Sequence, residues 1–491
     1  MKTSRSLAVL SLILAAVLAG CTVGPNYRRA SAPPAAHWDV AEPWRESAPK
    51  DALGKGKWWS VFNDDELNAL ENEALASNQT LKISVARLEQ ARALAKVELS
   101  TQFPQFSVAP SAERQRLAAN RPAISSITPT AAVTQNSFSL PFSVGYEVDL
   151  FGRRRRSIEA AQASYQASAA DLENVRLLTT AELAGDYFSL RQLDKQIGLL
   201  TRTVEALNKG LDLVNSRHQG GVASGLDVAQ EETLLNTTRT QLTLLRQQRK
   251  QFEDAVAVLV GKAAPDFHLA VKELNAEPPS LDAGLPSDLL ERRPDVAEAE
   301  RQMATANAQI GIAKAAYYPS LNLFGTGGWL AADIAKLANV QSTFWAVGAN
   351  VAESIFTGGA RRAQVEFAQA NYDATVAGYR RTVLLAFQEV QDSLTGLTVL
   401  DQAYQSQQLA VNASRRTLDI ATSRYTGGLV SYLDVVSAQQ NLLTNEQQLA
   451  ILQGQKLVTS VLLVKALGGG WDASSLAAIK VKSSPKDVIA P

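Results

Sequence analysis

The chain has a single cysteine, Cys21, which excludes an intrachain disulfide, and only three histidines, His37, His218 and His268, each isolated from the others. Neither a metal cluster nor a catalytic triad is suggested by so sparse a set. Methionine occurs only as Met1 and Met303, which lends no support to a soft-metal path. A charge excess is missing too: 48 basic residues face 48 acidic ones. Without Lys2 and Arg5 the balance is 46 against 48, so neither nucleic acid nor a polyanionic substrate is indicated. Gly325, Gly327 and Gly328 are too far from a phosphate-loop pattern to suggest a nucleotide. From Arg153 onward no window of about 20 residues is predominantly apolar, so no spanning helix is expected there. No catalytic residue, cofactor or metal is anticipated. If this chain crosses a bilayer, strands must do it.

The first twenty residues carry the signals that the rest lacks. "MKTSRSLAVLSLILAAVLAGC" has a basic start, an apolar run from Leu7 to Ala19 and small residues before Cys21, the layout of a secretory signal over 1–20. Its "LAGC" ending resembles a bacterial lipobox, which implies that Cys21 becomes the lipidated first residue of the mature chain. Several acyl chains on one residue hold a protein stably at a membrane surface, whereas one is marginal. Thr22, in place of the aspartate usual in retained lipoproteins, fits sorting to the outer membrane.

"SFSLPFSVGYEVDLFG", from Ser137, places Phe138, Leu140, Phe142, Val144, Tyr146, Val148 and Leu150 on one face, with polar or small residues between them. That alternation predicts a strand with two unlike faces, longer than the roughly 9–11 residues a tilted membrane strand requires. "TFWAVGANVAESIF" from Thr343, with Glu353 the exception, "PSLNLFGTGGWL" from Pro319 and "PQFSVAPSAERQRL" from Pro104 alternate in the same way. Together they predict two hairpins, with loops near 117–136 and 331–342. A soluble four-stranded sheet packed on helices is the competing reading.

The remainder reads as helix of unusual length. From Arg153 to about Arg217 and from Ala360 to about Tyr425 there is no proline, so each stretch could extend roughly 90 Å. Phe387, Val390, Leu394 and Leu397, then Tyr404, Val411, Leu418 and Tyr425, form a narrow seam suited to coiled-coil contacts, with the other surfaces wet. The run Arg153 to Arg156 reads as the solvated start of a helix near a membrane boundary, and Trp58 and Trp59 as packing residues.

An internal repeat organises the whole. "SRHQGGVASGLDVAQEETLLN" from Ser216 recurs as "SRYTGGLVSYLDVVSAQQNLL" from Ser423 with nine of twenty-one positions identical, and "AQASYQA" from Ala161 returns as "AQANYDA" from Ala368, both at an offset of 207. The expected divisions are an N-terminal lipidated and equatorial segment over 21–77, a first repeat over 78–263 and a linker over 264–293. A second repeat over 294–467 and a C-terminal tail over 468–491 complete the chain. Four strands cannot close a membrane barrel, and an open edge in lipid is prohibited, so membrane strands imply an oligomer.

"GCTVGPNY", "KWWSVFNDDELNAL", "YEVDLFGRRRR", "ERRPDVAEAERQMATANAQIGIAKAAYYPSLNL" and "SRYTGGLVSYLDVVSAQQ" occur in this order, and with them the chain resembles the outer membrane factor (TolC-like) family, in its lipoprotein branch serving resistance-nodulation-division pumps. The resemblance implies a mixed α and β homotrimer. Its twelve-stranded barrel would take four strands from each chain and continue as a periplasmic helical tunnel with an equatorial belt. It also implies a passive exit duct of a tripartite efflux pump, partnered by a periplasmic adaptor and an inner-membrane transporter, and exporting small molecules such as drugs.

By the same resemblance the repeated turns Gly220, Gly221 and Gly427, Gly428 are the tunnel's periplasmic tips. Asp227 matches a gating aspartate, Tyr425 the tyrosine that hydrogen-bonds it, Leu433 a constricting leucine and Asp434 a charged ring. Val430 and Ser437 replace charged residues found in some relatives, which leaves any ionic latch weaker or reliant on Arg217 or Arg424. The bare residues offer another account, because Ser224 with Asp227 and Ser431 with Asp434 have capping-box spacing after helix-stopping glycines. A lipid-anchored periplasmic coiled-coil scaffold without a pore is the alternative function.

Overall fold

A computed structural model describes residues 22–33, 38, 57–119, 131–274, 276–279, 289–477 and 479–481. The signal segment and Cys21 lie outside them. A 3₁₀ turn at Trp58–Phe62 leads into α1 (Asp65–Ser77) and α2 (Gln79–Ser100), then strands β1 (Gln105–Val108), β2 (Ser111–Leu117) and β3 (Val133–Val148). Helices α3 (Arg153–Gln219) and α4 (Gly225–Leu259) complete the first half. The second half runs α5 (Pro294–Ala315), β4 (Ser320–Ala331), β5 (Thr343–Ala352), α6 (Ala360–Thr426) and α7 (Tyr432–Ala466).

The duplication is kept to the residue. Both long helices have 67 residues and both following helices 35, each pair displaced by 207, whereas α2 with β1 and α5 with β4 are displaced by 215. The eight extra residues of the first half therefore fall within its hairpin.

β1 and β2 are one hairpin arm interrupted at Ala109 and Pro110. Gln105 pairs with Gly145 and Ser111 with Ser139, a single antiparallel register against β3. Pro110 has no N–H to give the ladder, which splits the arm without shifting it. The sheet order is β1-β3-β4-β5, with β2 also on β3, so β5 and the β1/β2 arm are its two open edges. The fourth strand ends at Ala352 rather than running to Phe356, and Ile355 and Phe356 stand almost fully exposed beyond it.

Register assigns the faces. Val108, Phe142, Gly327 and Trp345 form one cross-strand row, and Phe106, Val144, Gly325 and Val347 the next. The opposite face carries Ser107, Ser143, Thr326 and Ala346, then Glu147, Asn322 and Asn350. Ser143 and Thr326 hydroxyls lie 3.4 Å apart and those of Ser111 and Ser139 2.7 Å. The helices pack chiefly on one another, and neither face of the sheet is covered by them; Phe106, Trp345 and Val347 remain more than 70% exposed. The soluble reading, with helices under the apolar face, is thereby corrected.

The helices form a wall four wide along its whole length. Near the sheet the order is α2, α3, α5, α6; farther away it is α4, α3, α7, α6, the two long helices running through both tiers. Instead of one core, apolar clusters are strung along the wall. The largest, at the wall's middle, joins Trp58, Trp59 and Phe62 to Tyr187, Phe188, Val256, Leu457 and Val461. Val390, Leu394, Leu397 and Val411 of the expected seam are buried. By length and composition α7 is apolar enough to span a bilayer, against the sequence expectation; half of that stretch is buried, which accounts for its apolar content by packing against α3 and α6.

A charge cluster fastens the middle. Asp194 accepts from Arg191 at 2.7 Å and from Arg249 at 2.6 Å, while Glu253 accepts the Leu269 amide at 2.7 Å. Arg191 and Arg249 also donate to the Ala270 and Leu269 carbonyls, tying the segment after α4 onto α3. The second half repeats the pair as Lys456 on Asp401 at 2.6 Å, each residue displaced by 207. Arg153 and Arg154 both grip Glu147, Arg155 grips Asp149, and Arg156 is buried against Glu159 and Asn26. The arginine run is thus a strand-to-helix clasp rather than a solvated helix start.

A side chain at Gly328 would put its Cβ 2.0 Å from the Leu140 carbonyl oxygen, whereas one at Gly145 meets nothing within 4 Å. Gly328→Ala is predicted to destabilise the sheet by about 2 kcal/mol or more, and Gly145→Ala by well under 1. Urea unfolding in detergent, followed by tryptophan emission, checks both.

Candidate functional site at the helical tip

Each tip is a helix, two glycines and a capped helix. Gly221 and Gly428 both have φ +74°, a backbone conformation that side chains with a Cβ rarely adopt. The Val222 and Gly221 amides donate to the Arg217 and His218 carbonyls at 2.9 Å, and Leu429 and Gly428 do the same to Arg424 and Tyr425. These paired bonds satisfy the last carbonyls of α3 and α6 and stop the helices. Gly220 and Gly427 remain in right-handed geometry, so only the second glycine of each pair is conformationally required.

The next helices start with carboxylates. Asp227 accepts the Ser224 amide at 3.0 Å, while its own amide donates to Ser224 Oγ at 3.2 Å. Asp434 accepts both the Ser431 amide, at 3.1 Å, and the Ser431 hydroxyl, at 3.0 Å. Both aspartates are therefore used in helix capping within the chain. Among the described residues no hydrogen bond joins Asp227 to Tyr425, so the partnership implied by the resemblance is not formed inside one copy.

Tyr425 instead sits between two other groups. The Arg217 guanidinium carbon lies 4.7 Å from its ring centroid, and the Tyr432 ring packs against it at 4.9 Å. Arg217 thus meets the tyrosine face rather than a carboxylate. Val222, Leu226, Leu429 and Leu433 stand exposed around these turns, the last at 53%. Leu226 and Leu433 are repeat equivalents, so each chain presents two leucines at matching positions.

Tyr432 and Glu231 carry no motif and were not singled out by sequence. Tyr432 has no repeat counterpart beyond Gly225, and Glu231 none beyond Ala438, so the duplication that exposes Asp227 and Asp434 is silent about them. The charge cluster at Asp194 and Arg249 was legible in principle through its copy at Asp401 and Lys456. Among the described residues no group of three or more His, Cys, Asp or Glu could hold a metal ion.

An uncovered two-faced sheet continued by a long helical wall fits the class of membrane channels built on strands, and comparison with known proteins specifies the kind. The chain belongs to the outer membrane efflux protein family, whose model matches residues 70–262 and 285–469. It is similar to the toluene efflux pump outer membrane protein TtgF of Pseudomonas putida, 33% identical over 473 residues, covering 94% of this chain and 97% of the relative. The outer membrane protein OprJ of Pseudomonas aeruginosa is 32% identical over 470 residues, covering 94% of this chain and 96% of its own. Among solved structures, the Campylobacter jejuni CmeC outer membrane channel superposes with a TM-score of 0.85 at 25% identity, over 95% of this chain and 98% of that one. This protein is accordingly an outer-membrane efflux channel of a Gram-negative bacterium, its helical portion in the periplasm, and its family is one of transport channels.

Removing the Ser224 hydroxyl takes from the Asp227 amide its side-chain acceptor and leaves it only the Ser224 carbonyl, at 3.2 Å. Ser224→Ala is predicted to weaken the tip locally by about 1 kcal/mol, or roughly fivefold in opening. Hydrogen exchange should quicken at Asp227 and Val228 and stay unchanged beyond Leu242.

Proposed function

We propose that three copies close into a twelve-stranded barrel above a twelve-helix tunnel and act as the passive exit duct of a tripartite efflux pump. The observation that carries this reading is the pair of open edges on one sheet whose two faces are also uncovered. The ten-residue β5 leaves about five amides and five carbonyls of its free edge unpaired, and each costs several kcal/mol in hydrocarbon. A single chain cannot bear that cost in lipid. The helical wall ends in the same way, with α2 and α4 along one side and α6 along the other, α2 leading directly into β1 and β5 directly into α6. One rotation therefore closes both layers, which is the condition for a ring.

In the ring, the rows of Phe106, Val144 and Val347, and of Val108, Phe142 and Trp345, face lipid, and the serine, threonine and asparagine rows face the lumen. The anchor at Cys21 fits this placement. Thr22 contacts Gly152 and the Val23 amide donates to the Phe151 carbonyl at 3.1 Å, so the residue after Cys21 is held where β3 leaves the sheet. Acyl chains on Cys21 would enter the bilayer beside the barrel. The tips, 67-residue helices away from the membrane, meet the periplasmic adaptor through Val222, Leu226, Leu429 and Leu433, with the inner-membrane transporter of the resistance-nodulation-division type supplying energy. Relatives described as toluene, solvent and antibiotic efflux proteins and as a pyoverdine export protein support small-molecule cargo such as drugs.

We assign the gate to Asp227, Tyr425, Leu433 and Asp434. Asp434 contributes one carboxylate per copy to a narrow mouth, which favours cations. Replacing Asp227 and Tyr425 together, by Ala and Phe, is predicted to raise single-channel conductance in planar bilayers, while current equal to wild type removes the gate assignment. A preparation that inserts nowhere and is freed by removing its acyl chains would restore the scaffold reading.

A further inference from the structure

Glu231, on α4 one turn beyond the tip cap, is a fully buried carboxyl with no ion pair. Neither of its oxygens has a formed hydrogen bond, although the Tyr432 hydroxyl lies close enough to couple to it electrostatically. It is wedged against α3 at Gly210, where an added Cβ would stand 2.5 Å from Glu231 Oε1 and 3.7 Å from the Tyr432 hydroxyl oxygen. Tyr432 belongs to the apolar cluster of Leu207, Val214, Leu234, Leu235, Val435 and Val436 at this end of the helices. Tyr432 in turn packs on Tyr425, which carries Arg217 on its ring. One residue from each of the four helices at the tip therefore stands in a single chain of contacts: Arg217 of α3, Tyr425 of α6, Tyr432 of α7 and Glu231 of α4.

We propose that Glu231 is a positioning residue of the gate, an inner latch that holds α4 against α7 while its carboxyl is protonated and releases when it ionises, with the Tyr432 hydroxyl beside it setting the pH of release. The inference rests on reading the tip as the gate. A neutral carboxyl can stay in this apolar cluster, whereas a carboxylate there would be an uncompensated charge, relieved if α4 swings outward and lets water in. The groups that face it are few. From α7 there is Tyr432; through that ring come Tyr425 of α6 and Arg217 of α3, and Asp227 lies one turn back on α4 itself. Lys209 and Asp212, flanking Gly210 on α3, are exposed. Burial holds the Glu231 carboxyl above the ordinary carboxylate range, and the Tyr432 hydroxyl opposes this.

The sign follows. Because acidity is suppressed in the closed tip, closure is favoured fully at pH below the ordinary carboxylate range and is lost as pH rises through the raised value. A proton held ten times more tightly in the closed tip than in the open one biases the gate about tenfold per copy. The test is conductance of the full channel in planar bilayers from about pH 5 to about pH 9. Wild type should show a rise in open probability with pH, E231Q should stay at the low-pH level throughout, and Y432F should move the rise to higher pH, since the hydroxyl that favours the carboxylate is gone. A channel whose pH rise is unchanged in E231Q and in Y432F overturns the latch alone. A chain that inserts but conducts at no pH, even with Asp227 and Tyr425 replaced, overturns the duct reading and the latch with it.

Discussion

Backbone polarity in hydrocarbon is the constraint on which this structure turns. A strand edge that water would satisfy cheaply has no partner in lipid, so a four-strand-wide sheet is unstable there unless its edges meet other edges. Everything below the sheet can be understood as keeping that closure possible. The wall is as wide in helices as the sheet is in strands, the duplication gives both the same order of halves, and the arginine clasp at Glu147 and Asp149 fixes the angle at which one becomes the other.

Much of this was legible in the sequence because periodicities of two and of three to four leave different marks. The boundaries at Arg153 and Ala360 followed from proline-free runs after Gly152 and Gly359, and the offset of 207 holds for four helices. What failed did so for local reasons. Pro110 interrupts a strand whose side-chain alternation continues through it, so pattern alone could not show the break. Glu353 puts a charge on the apolar face of β5, and the ladder ends one residue before it, so Ile355 resumes the pattern without a strand partner. The helix at Asp65–Ser77 was hidden in a segment treated only as belt, although Asp64 caps it by accepting the Glu66 and Leu67 amides.

The tip shows the same division at finer grain. Glycine pairs and the serine-to-aspartate spacing announce a turn and a cap, and both are present at the atomic level. Which side chains then meet across four helices depends on their relative rotation, which no short motif encodes. Glu231 reads as one more surface acid of a helix rich in glutamine and glutamate, and its burial appears only once Gly210 opens room for it. Capping and the proposed gating are also compatible, because an aspartate fixed by its own serine keeps free lone pairs in a constant direction.

Closure by identical copies is the central claim, and mass measures it most directly. Native mass spectrometry of the detergent-solubilised mature protein should give a species of three chains that persists on dilution. A single-chain mass under the same conditions would contradict the account, since the edges of β1 and β5 would then have no partner in the membrane.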